Sequence, residues 1–210
     1  GTFAARRHTA VTPLPDGENY ACLDNGRVTA YSYKTGRKTA VLFDRNDVIG
    51  ETIGEPQTFI LSPDASRILL ATDVKPIYRR SFAAQWYIYD IRSKQLSRLS
   101  DNGPQQSPVW SPDATQVAFV RDNNIYLVKL LYDNAESQVT KDGRRNSVIN
   151  GIPDWVNEEE FSIATSLCFT ADGSQICWIK YDETDVPTYD LQLFRGASQT
   201  RDEYGDYPGL

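Results

Sequence analysis

Leu61-Ser62-Pro63-Asp64-Ala65-Ser66-Arg67-Ile68 recurs as Trp110-Ser111-Pro112-Asp113-Ala114-Thr115-Gln116-Val117 and again as Phe169-Thr170-Ala171-Asp172-Gly173-Ser174-Gln175-Ile176. A fainter copy, Leu14-Pro15-Asp16-Gly17, precedes them. The four aspartates are spaced 48, 49 and 59 residues apart. Proline presets a turn dihedral, aspartate bonds its own backbone, and the small residue or glycine after it accepts a tight bend. Each of the three clearer turns lies between short apolar runs, such as Phe59-Ile60-Leu61 before and Ile68-Leu69-Leu70-Ala71 after. Runs of four or five residues, partly β-branched or aromatic and bounded by turn residues, read as strands.

A hairpin repeated every fifty residues or so, with further strands at Trp86–Asp90, Gln95–Leu99 and Ile125–Val128, is the pattern of β-propeller blades. A β-sandwich shares the short strands but not the long period. The expected fold is therefore all-β, a β-propeller of about four blades of four-stranded antiparallel sheet, near residues 13–45, 57–100, 106–141 and 164–196. Continuous apolar runs suit strands covered on both faces by neighbouring blades.

The 210 residues suffice for a substantial core. Forty percent hydrophobic and 24% charged residues exclude a disordered or collagen-like chain. A net charge of −6 argues against nucleic acid as the main partner. The longest apolar stretch, around Ile125–Tyr132, is broken by Lys129 and falls far short of a membrane span. The single histidine, His8, cannot build a histidine metal cluster, so neither metal nor cofactor is expected. Ser198 has Gly196 before it but lacks the second glycine of a nucleophile elbow, and the chain is expected to carry no nucleophile of its own. With no initial methionine or leader, it reads as a processed chain or a piece of a longer one. Cys22, Cys168 and Cys177 read as small buried hydrophobes, although Cys168 and Cys177 face each other across a hairpin where a bridge is conceivable. Trp86, Trp110, Trp155 and Trp178 are assigned mostly to core packing.

The stretched third spacing marks an insertion, Asn150-Gly151-Ile152-Pro153-Asp154-Trp155-Val156-Asn157-Glu158-Glu159-Glu160-Phe161, placed between the third and fourth units. Proline early and acids in the body predict a short helical turn near 153–161. Adjacent side chains on a helix splay by about a hundred degrees, so two of the three glutamates can converge. Two convergent carboxylates suit a primary ammonium, each contact being worth on the order of 4 kcal/mol at about 4 Å and an effective dielectric near 20, before desolvation. Composition alone favours the alternative, a solvated acidic turn.

The insertion resembles the double-glutamate segment of the dipeptidyl peptidase IV family, roughly NG-x-x-DW-V-Y-E-E-E. Tyr78-Arg79-Arg80-Ser81-Phe82 running on to Trp86-Tyr87-Ile88-Tyr89-Asp90 is similar to the family's YRHS…YYIYD stretch, and Tyr181-Asp182-Glu183-Thr184-Asp185-Val186-Pro187 to a third run. The resemblance puts a ligand role for the insertion ahead. It implies that Glu159 and Glu160 hold the free α-amino group of a peptide substrate and that Arg79 contacts its backbone carbonyl and steadies the glutamates. Glu158 is given a structural part, so that its loss should cost turnover far less; Asp154 and Trp155 hold the turn. Arg80 replaces the family's frequent histidine and Asn157 its usual tyrosine.

The resemblance further implies a parent enzyme, a periplasmic or secreted serine dipeptidyl peptidase that releases Xaa-Pro or Xaa-Ala. In that enzyme an eight-bladed propeller joins a C-terminal α/β-hydrolase domain. Residues 1–210 would be the front part of that propeller, inactive alone, with open blade faces that favour a homodimer. A non-enzymatic propeller scaffold, or a tripeptidyl or inactive relative, is the alternative.

Overall fold

Four successive antiparallel units make up the computed structural model, which describes residues 10–187. The first contains β1 (Thr12–Pro13), β2 (Asn19–Asp24), β3 (Arg27–Ser32) and β4 (Lys38–Asp44), paired in that order. A short β5 (Ile49–Gly50) then runs parallel to the last strand of the second unit. That unit is β6 (Thr58–Leu61), β7 (Arg67–Pro76), β8 (Phe82–Asp90) and β9 (Gln95–Arg98), and the third is β10 (Gln105–Trp110), β11 (Gln116–Arg121), β12 (Asn124–Lys129) and β13 (Ala135–Gln138). The fourth comprises β14 (Val148–Asn150), α1 (Trp155–Phe161), β15 (Leu167–Phe169), β16 (Ile176–Trp178) and β17 (Lys180–Asp182). This is part of a β-propeller.

The repeated turn is built the same way at all three clear copies. Ser62, Ser111 and Thr170 each donate a side-chain hydroxyl to the aspartate two residues on, at 2.7, 2.6 and 2.6 Å. The same aspartate oxygen accepts the backbone N–H of Ser66, Thr115 or Ser174 at 3.0 to 3.1 Å. The residue after the aspartate is left-handed in each case: Ala65, Ala114 and Gly173 have φ of 53°, 58° and 71°. Only the third copy uses the residue best suited to that conformation.

Apolar strands are shared between neighbours. Along β7, Ile68 and Leu70 face Ala21, Val28 and Phe43 of the first unit, while Leu69 and Ala71 face Val117, Phe119 and Val128 of the third. Along β11, Val117 and Phe119 turn back to the second unit, while Ala118 and Val120 meet Ile152 and Leu167 of the fourth. The two-residue period of a strand thus sends alternate side chains into two different cores.

Three expectations change. The insertion lies inside the fourth unit rather than before it, because β14 pairs antiparallel with β17 and brackets α1 and the β15–β16 hairpin. The fourth unit accordingly starts at Val148 rather than at 164, and its predicted end at 196 falls outside the described residues, as do His8 and Ser198. Cys168 and Cys177 are register partners, but both are free and exposed, and Cys22 is only half-buried. Leu167, Phe169 and Ile176 face the core shared with the third unit, so the alternate positions 168 and 177 point away from it. Trp86 is buried as expected, whereas Trp178 is 40% exposed, its indole N–H donating to Asn150 Oδ1 at 3.3 Å.

Candidate functional site

Residues 77–81 form the tip of the β7–β8 hairpin. A bulge at Asp73, with φ of 53°, breaks the register between Thr72 and Lys75. Beyond it Pro76 pairs with Phe82, and Ile77 N–H donates to Ser81 O at 2.9 Å. Bulges re-aim the chain that follows, and here the hairpin continues past the blade toward α1.

The helix is fixed at both ends. Asn150, 1% exposed, donates from its backbone N–H and its side-chain amide to Asn123 O at 3.1 and 3.2 Å, tying the start of the insertion to the β11–β12 turn. Gly151 follows with φ of +80°, and a Cβ there would lie 3.1 Å from Ile125 and Val120 side-chain carbons. Its N–H and C=O pair with Ile179 O and Ser166 N–H. Asp154 caps α1, accepting Asn157 N–H at 2.7 Å and its side-chain amide at 2.8 Å. Asn157 is therefore drawn back into the cap. After the helix Ser162 is left-handed, with φ of 59°, and Ala164 O accepts Ser107 Oγ at 2.7 Å from a bulge in β10.

The three glutamates have three different surroundings. Glu158 is fully buried, its Oε1 accepting the backbone N–H groups of Arg80 at 2.6 Å and Ser81 at 2.9 Å. Glu159 pairs through Oε2 with Arg79 Nε at 2.8 Å, with its side chain 20% exposed and that of Arg79 70% exposed. Glu160 is exposed and has no ion-pair partner among the described residues. Arg80 Nη2 donates to Ser162 Oγ at 2.7 Å, so the hairpin tip also holds the far end of the helix. Trp155, first residue of α1, is half-buried. Nothing in the residue types or spacing of Arg80, Ser81 and Ser162 points to these contacts.

Glu183 lies near the helix start. Burial, reinforced by the charge of Asp154, raises its carboxyl above the ordinary range. Among the described residues no cluster of three or more His, Cys, Asp or Glu side chains could hold a metal ion. No helix among them is long and apolar enough to cross a membrane.

These features define part of a β-propeller in which a short acidic helix is clamped against an arginine-bearing hairpin. Residues 62–209 match the model of the dipeptidyl peptidase IV (DPP IV) N-terminal region, and the chain belongs to that family. It is 34% identical over 208 residues to a probable dipeptidyl-aminopeptidase B of Emericella nidulans, a match covering 92% of this chain and 23% of that protein. A namesake from Chaetomium globosum is 42% identical over 137 residues, covering 63% of this chain and 15% of that protein. The crystal structure of Porphyromonas gingivalis dipeptidyl peptidase 4 superposes with a TM-score of 0.85 at 34% identity, covering 96% of this chain and 28% of that one. The chain thus spans between 15% and 28% of the length of these relatives.

Proposed function

We propose that this chain is the substrate-recognition portion of a serine dipeptidyl peptidase, which releases Xaa-Pro or Xaa-Ala dipeptides from peptides with a free N-terminus. In this reading Glu159 and Glu160 receive the substrate ammonium and Arg79 orients the first peptide carbonyl. The observation that carries it is the Arg79–Glu159 ion pair beside an exposed Glu160 that has no ion-pair partner among the described residues. A cation already bound to one carboxylate leaves the adjacent one as the open position for an incoming ammonium, whose N–H donors make charge-assisted bonds. A guanidinium has further N–H groups to offer a carbonyl while it holds Glu159. An anionic anchor at a fixed distance from a nucleophile measures two residues from a peptide's end, and the nucleophile would come from a hydrolase domain outside this chain.

The test uses the full-length protein and a chromogenic Gly-Pro substrate. Glu159→Ala and Glu160→Ala each lower kcat/KM by roughly 10- to 10²-fold, as expected when a charge-assisted hydrogen bond worth about 1.5–3 kcal/mol is removed. Unchanged kcat/KM in both variants, or equal turnover of the N-acetylated substrate by the native protein, would overturn the reading. The 210-residue chain alone releases no dipeptide.

A further inference from the structure

A carboxylate withdrawn wholly from water needs a reason, because burial of an ionisable group is costly unless its hydrogen-bonding capacity is used. Glu158 is the one glutamate of the three with no exposure, and its Oε1 takes two backbone N–H groups from consecutive residues of another element. Those residues, Arg80 and Ser81, immediately follow Arg79. We infer that Glu158 is a positioning residue. Its carboxylate clasps the Arg80 and Ser81 amides and thereby sets the backbone from which Arg79 reaches Glu159. The inference rests on the substrate-anchoring role proposed for Arg79 and Glu159.

The contacts form a ladder in which residues 79, 80 and 81 each meet the helix or its cap. Arg79 binds Glu159 by its side chain; Arg80 binds Glu158 by its amide and Ser162 by its guanidinium; Ser81 binds Glu158 by its amide. The outer rungs, Arg79–Glu159 and Arg80–Ser162, are exposed, and only the Glu158 rung is shielded from water and from salt screening. Without it the two amides lose their acceptor, and the Arg79–Glu159 and Arg80–Ser162 contacts between tip and helix are exposed ones. Glu158 Oε2 and Ser81 Oγ, both buried, make no hydrogen bond among the described residues. They belong to the same junction, since Ser81 N–H already lies 2.9 Å from Oε1.

The experiment compares Glu158→Ala, Glu158→Gln and Glu159→Ala in the full-length protein with two probes. One is the Gly-Pro anilide; the other is a small aryl phosphonate that phosphonylates the serine, its aryloxide leaving as the Oγ–P bond forms, and that has no ammonium to anchor. Glu158→Ala is expected to lower kcat/KM for the anilide on the order of 10²-fold, the loss typical of a reactant held about 1 Å out of place. That is more than the sequence alone assigned to this residue. Phosphonate labelling should stay within about twofold of the native rate, and Glu158→Gln, which keeps one acceptor oxygen, should recover most of the loss. Equal losses for both probes would mean that Glu158 only stabilises the fold, and would overturn the inference. So would an unchanged anilide rate in Glu158→Ala while Glu159→Ala is crippled. If Glu159→Ala is also unaffected, the anchoring role itself fails, which is a distinguishable result.

Discussion

Asp172 shows how much one exposed side chain contributes to the repeat. The Thr170 hydroxyl, then the Ser174 backbone N–H and hydroxyl, hold its carboxyl down from 3.8 to about 2. Asp113 is lowered by the equivalent Ser111 hydroxyl and Thr115 donors. A carboxylate depressed in the folded state stabilises it fully above the ordinary value near 3.8, and that contribution fades as the pH falls toward about 2. Asp172→Asn should therefore flatten the loss of stability between pH 4 and pH 2, read as a smaller shift in melting temperature across that window. Glu183 has the opposite sign. Burial and the Asp154 charge raise its carboxyl, so the ionised form disfavours folding above that raised value and the cost is relieved as the pH drops through it. Glu183→Gln should melt higher than the native protein at pH 7 and level with it near pH 4. Equal melting at both values would contradict the assignment.

At the scale of the element, α1 is seven residues long, too short to persist on its own. Its stability comes from Asp154 at the start, Glu158 in the middle and the Arg80–Ser162 contact at the end. Asp154→Ala should cost about 1 kcal/mol, the usual worth of an N-cap. Because the same helix carries Glu159, KM for the anilide should rise with it. Gly151→Ala acts on the other side of the cap, where a left-handed φ and close contacts with Ile125 and Val120 both oppose a side chain. It should destabilise by about 1 kcal/mol or more, visible in denaturant midpoints. The helix was legible in the sequence from proline, capping aspartate and acids. Its place inside the fourth unit was not, because the bracketing strands β14 and β17 are three residues each and their pairing joins residues 30 to 34 positions apart.

Across the whole molecule, units are joined by apolar cores, and a shielded ion pair within the third unit reaches the second through Ser100. Arg121 lies over the Tyr126 ring at 4.0 Å and pairs with Glu136 at 2.6 Å, while Ser100 at the end of the second unit bonds both. Arg121→Ala leaves Glu136 without its cation and should cost about 3–5 kcal/mol. The melting transition of the second and third units would reveal it. The outward face of the fourth unit presents Cys168, Cys177 and Ile179 to solvent. A polypeptide of these 210 residues should accordingly self-associate, and strictly monomeric light scattering at tens of micromolar would contradict that.

What the linear chain determined by itself was the repeated hairpin. Proline, aspartate and a hydroxyl at fixed spacing make the same turn wherever they occur, since every bond of that turn is local. Apolar runs beside each turn likewise specified strands, which in β7 and β11 are covered on both faces. Tertiary structure alone decided which face of the fourth hairpin meets the core, and so left Cys168 and Cys177 exposed against expectation. It alone also separated three consecutive glutamates into one buried, one paired and one open, because the partners of Glu158 and Glu159 come from a hairpin tip nearly eighty residues earlier. Long-range contacts of that kind leave no local signature in residue type or spacing.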